Sequence, residues 1–125
     1  MDTLKDIQAD KCFHPIYAKI LSKLPLNMNG FKIGSNTDES PFTDRNMENI
    51  IRCMEDTKHV FKQIKQCKLN SYTGKHHIER YRDKNSQENT YISNGEFIAS
   101  MILSGYKYKT PTSLNLEFNA SVITR

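Results

Sequence analysis

Apolar residues recur at three- and four-residue helical spacing through most of the chain and switch to alternation only after Gly105. The clearest helix lies between Ser93 and Gly105. Ser93 and Glu96 spell a capping box, Ile92 and Phe97 stand where a hydrophobic staple closes across it, and Gly105 supplies a left-handed stop. Phe97, Ile98, Met101 and Ile102 give this helix one apolar face. Upstream, Thr43 or Asp44 caps a long helix in which Met47, Ile50, Met54, Phe61 and Ile64 keep the same spacing, with a polar gap at Thr57 or Lys58 and an end near Cys67. Shorter helices are expected over Thr3 to Ala9 and after Pro15, where Ile16, Ile20, Leu21 and Leu24 form a stripe that Pro25 ends. Residues Pro25 to Pro41 read as a loop rich in Asn, Gly and Ser, with a brief extended piece from Phe31 to Ile33.

Asn70-Ser71 caps a further, basic helix, with Tyr72, Ile78 and Tyr81 inward and Lys75, His76, Arg80 and Arg82 spread over its surface. Gly74 weakens its start, and the polar run Asn85 to Thr90 is the turn before the capped helix. After Gly105, Tyr106 and Tyr108 alternate with Lys107 and Lys109, and Leu114, Leu116 and Phe118 alternate again, as the two arms of a hairpin do. The expected class is mainly α with a C-terminal β-hairpin, α+β. Helix, turn, capped helix and hairpin in that order give the C-terminal half a winged helix-turn-helix-like plan. Residues 1–41 would carry the N-terminal helices and polar loop, and 42–125 the long helix and winged-helix-like unit, within one compact domain.

Composition sharpens this picture through charge. A 37% hydrophobic content over 125 residues builds one modest core. Residues 1–57 carry 7 Lys/Arg against 9 Asp/Glu, whereas residues 58–125 carry 11 against 5, so the excess positive charge belongs to the winged-helix-like half. The acidic start MDTLKDIQAD is unlike a secretory signal, no stretch reaches the length of a membrane span, and three widely spaced cysteines read as reduced thiols. The expectation is an intracellular chain of host cytoplasm, nucleus or virion, with no membrane partner.

In a winged helix the second helix enters the major groove. Here its outward positions would be Asn94, Glu96 and Ser100, with no Lys or Arg among them. Asn94 could read adenine and Ser100 touch a phosphate, while Glu96 is engaged by the capping box. The cations Lys75, His76, Arg80, Arg82, Lys107 and Lys109 would hold phosphates, a layout suited to backbone contact rather than base reading. His76 and Glu79 share a helix face, yet no Cys pair or second His pair completes a zinc set. No phosphate loop or nucleophile elbow occurs either, so neither metal, cofactor nor catalysis is expected.

The positions Lys75-His76, Glu79, Tyr91, Ser93-Asn94-Gly95 and Gly105-Tyr106 resemble, in this order, a small uncharacterised domain of large DNA viruses and phages. The resemblance spans residues 71–121 and implies a viral or mobile-element origin, with no assigned activity to carry over. The expected function is a non-catalytic, largely sequence-independent nucleic-acid-associated protein that binds DNA or RNA backbone. The alternative is a structural or interaction protein, either a minor virion component or a binder of a host protein. The apolar stripe of the 44–67 helix offers a homodimer surface.

Overall fold

The computed structural model describes residues 16–109 and 111–123. The helix expected over Thr3 to Ala9 and the Pro15 start of the next lie outside these residues. Helical residues 16–22 (α1) lead into a tight hairpin of β1 (Leu26–Asn27) and β2 (Gly30–Phe31). Three longer helices follow: α2 (Asp44–Val60), α3 (Ser71–Lys84) and α4 (Asn94–Leu103). Two more antiparallel ladders pair β3 (Phe61–Gln63) with β6 (Ala120–Val122) and β4 (Leu69–Asn70) with β5 (Glu117–Phe118). The fold is mixed α+β, and no helix among the described residues is long and apolar enough to cross a membrane.

The capped helix forms as its sequence dictates. Ser93 Oγ accepts from the Glu96 amide at 3.1 Å and the Glu96 carboxylate accepts from the Ser93 amide at 3.0 Å. At the other end Gly105 has φ +91° and the Tyr106 amide reaches back to the Met101 carbonyl, the wrap that closes a helix on a left-handed residue. What differs is its surroundings. Every residue from Asn94 to Met101 is buried, so the outward face expected at Asn94, Glu96 and Ser100 does not form. Small residues on that side let neighbours close over it. Gly95 lies so near the β1–β2 hairpin that a Cβ there would strike the Asn27 carbonyl, and the Gly95 amide donates to Met28 O at 3.0 Å. A helix enclosed on all sides is a core element rather than a surface reader.

α2 starts where expected, at an N-cap Thr43 that shares reciprocal bonds with Asn46. Its Met47, Ile50 and Cys53 are buried on the side packed against α4. Of the stripe Met47, Ile50 and Met54 expected as a homodimer surface, the first two are therefore used up inside the molecule and Met54 is half-buried. The helix also stops at Val60 rather than near Cys67, because the backbone from Phe61 to Gln63 pairs with Ala120–Val122 and the Ile64 amide donates to Asn119 O. That pairing buries Phe61 to 3% exposure. Tertiary partners thus override a helical spacing that continues through Phe61 and Ile64.

The two alternating C-terminal runs meet at a single bridge, Tyr108 to Phe118, backed by Lys109 N to Glu117 O and Asn119 N to Lys107 O. The more extended pairing of the second run is with Leu69–Asn70 and Phe61–Gln63, on either side of the α2–α3 connection.

Candidate nucleic-acid interface

Of the eight residues expected to contact nucleic acid, seven separate into three places and Arg80 stands apart from them. Arg82 and Ser100 are fully buried and belong to the core. Arg82 Nε donates to Asp56 Oδ2 at 2.7 Å and Nη1 to Asn49 Oδ1 at 2.8 Å. The Ser100 hydroxyl donates to Phe97 O at 2.8 Å and lies 3.1 Å from Cys53 Sγ. Neither side chain can meet a phosphate or a base. The reason is the packing of α2 across α3 and α4, which turns a seemingly solvated basic position into a buried ion pair. Arg80, two positions earlier, stays exposed.

Lys75 and Asn94 line a second place, a cleft of about 760 Å³ between the β1–β2 turn, the first half of α3 and Leu114–Asn115, and His76 stands behind it against the Tyr72 ring. Glu79 organises it. Its Oε1 lies 2.9 Å from His76 Nδ1, and its Oε2 accepts from the Ile92 amide at 3.2 Å and from Lys75 Nζ at 3.4 Å. Lys75 also donates to Ile92 O at 3.3 Å and is only 8% exposed. Its ammonium lies 5.5 Å from the Tyr72 ring centre and 5.1 Å from that of Tyr91. Tyr72, expected to point inward, faces solvent instead, with its ring perpendicular to that of His76. Asn94 Nδ2 is taken by Asn29 O at 2.9 Å and Asn115 Oδ1 at 2.8 Å, while its Oδ1 has no donor. No three His, Cys, Asp or Glu side chains among the described residues converge as a metal set.

Lys107 and Lys109 occupy the third place, and here sequence reading missed their neighbours. Residues 57–78 contain five lysines and no acid, and residues 97–116 contain two lysines and no acid. Strand pairing joins these segments. Lys68 N donates to Phe118 O, Cys67 Sγ approaches Lys107 O at 3.8 Å, and Lys62 stands opposite Ser121. Lys62, Lys65, Lys68, Lys107 and Lys109 are all exposed around these ladders. Glu117 offsets one of them, 3.6 Å from Lys109 Nζ. The acid-free run from Thr57 to Ile78 was the available signal, obscured because Phe61 and Ile64 fit a helical stripe.

Comparison with protein-family models, with curated proteins and with solved structures gives no match to this chain.

Proposed function

We propose that the protein is a non-catalytic, largely sequence-independent nucleic-acid-associated protein of viral or mobile-element origin, working inside a host cell or virion. The lysine-rich strand end carries this reading. Lys62, Lys65, Lys68, Lys107 and Lys109 hold five exposed ammonium groups on or between paired backbone segments with a single acid, Glu117, among the strands they flank. Each phosphate so neutralised releases counterions, which drives association without regard to base sequence. The order α3, α4 and paired strands supports a winged helix-turn-helix-like reading in which the strand end meets the polyanion, since α4 has no free face to offer. Phosphate contacts of this kind position a duplex or strand but carry no sequence information.

Fluorescence anisotropy with random-sequence double- and single-stranded DNA and RNA across a salt series tests it. Binding should weaken steeply with salt. The Lys62→Ala, Lys65→Ala, Lys68→Ala variant should lower the magnitude of the log–log salt slope by about 2 to 3, at roughly 0.7–0.9 per lost contact. An absence of binding at low salt would overturn the reading in favour of a structural or interaction protein.

A further inference from the structure

The geometry points to a second function for the cleft beside the strand end: it holds a single nucleobase, stacked on tyrosine, with Lys75 placed for an acceptor of the same nucleotide. Tyr72 and Tyr91 are 54% and 60% exposed, and Leu114, also on the cleft wall, is 37% exposed. Three large side chains kept in water around one opening form a stacking platform awaiting a flat partner. Tyr72 is braced by the His76 ring, perpendicular to it at 4.7 Å between centres, and His76 by Glu79, so the platform is set before any ligand arrives.

The polar lining fits the same partner. A lysine ammonium has three protons. Lys75 places two on the long contacts to Ile92 O and Glu79 at 3.3 and 3.4 Å, which leaves donor capacity at the cleft. Asn94 is 8% exposed, lines the cleft and keeps a buried carbonyl oxygen without a donor. Asn29 and Asn115 add further amides to a lining free of carboxylates, while the Asn36 amide is held by Asn27 and Phe31 O. The volume falls within the range of small-molecule sites. The run from Leu114 to Phe118 passes from the cleft wall into β5 and spans at most about 13–14 Å, which brings the cleft wall near the strand that pairs beside Lys68 and Lys109. A strand held on the lysines can therefore deliver one base to the tyrosines. The base would come from a nucleic-acid strand if the proposed function holds, on which this inference rests for its source, or from a free mononucleotide.

The experiment compares a single-stranded oligonucleotide containing 2-aminopurine, the same oligonucleotide with an abasic position in its place, and nucleoside monophosphates. Wild type should quench 2-aminopurine on binding and should bind the abasic strand about ten-fold more weakly. Tyr72→Ala and Tyr91→Ala should abolish quenching and lose a similar factor, while Tyr72→Phe and Tyr91→Phe retain both. Both tyrosines are largely exposed, and circular dichroism verifies that the alanine variants stay folded. Equal affinity for intact and abasic strands without quenching would overturn the cleft assignment and leave the lysine reading standing. Mononucleotide binding that depends on the two tyrosines, without any strand binding, would uphold the cleft and overturn the lysine reading. No binding of strand or mononucleotide would overturn both.

Discussion

Arg82 Nε and Asp56 Oδ2 meet at 2.7 Å inside the core, with the guanidinium fully enclosed and the carboxylate side chain 7% exposed. This pair ties α3 to α2. The same guanidinium reaches Asn49 and the carbonyl oxygens of Asn89 and Tyr91, so it also fixes the connection that leads into α4. Removing one partner would leave the other charge buried without compensation.

Arg82→Ala and Asp56→Ala should each cost about 3–5 kcal/mol of stability in urea denaturation. The double replacement Arg82→Leu with Asp56→Leu should cost less than the sum of the single leucine variants, because no orphaned charge remains. Strict additivity would contradict the pairing. Any loss of nucleic-acid binding in an Arg82 variant would report unfolding rather than a lost phosphate contact.

Gly95→Ala should destabilise by about 1–3 kcal/mol or more, because the added methyl must push away the Asn27 carbonyl and the hairpin that carries it. An unchanged urea midpoint would mean that the hairpin does not rest on α4 as closely as described.

Burial, the Arg80 guanidinium and His76 hold the His77 imidazole below its ordinary value of 6.5. An unfolded chain therefore takes up a proton there before the folded protein does, and its greater proton uptake makes stability fall as pH drops from the ordinary value to the depressed one. The contribution is fully present above the ordinary value. His77→Gln should flatten the decline in urea midpoint between about pH 7.5 and 5.5. A decline identical to that of wild type would remove His77 as its source.

Burial pushes the Cys53 thiol up to about 12, against the opposing hydrogen bond from Ser100. Thiolate is the reactive form, so Cys53 should resist iodoacetamide in the native protein and label only in denaturant, while the partly exposed Cys67 labels first. Peptide mapping by mass spectrometry reads both. Native labelling of Cys53 at the rate of Cys67 would contradict its enclosure.

Local chemistry was legible in the chain wherever a structural signal is complete within a few residues. The Ser93–Glu96 capping box, the Gly105 stop and the Thr43 cap occur where their sequence places them. What escaped depends on partners far along the chain. Arg82 reads as a solvated cation until Asp56, 26 positions earlier, comes against it. Phe61 and Ile64 extend a helical stripe until Ala120–Val122 claim the backbone beside them. Ser100 reads as an outward polar residue until α2 covers it with Cys53. At the cleft, the residue types Lys75 and Asn94 were chosen from sequence, but their convergence with Tyr72, Tyr91 and the β1–β2 turn required the packing of α3 on α4.

The two ladders flanking the α2–α3 connection also set a schedule for synthesis. Phe61 waits for Val122 and Leu69 waits for Phe118, so this connection has no strand partner while the intervening chain is still being made. Helical turns can form early on the ribosome, but the lysine-bearing segment between α2 and α3 acquires its final shape only after Val122 has emerged. A nascent chain that stalls before Leu116 would present Lys62, Lys65 and Lys68 on a segment without its strand partners, so this lysine-bearing surface takes shape later than the helices on either side of it.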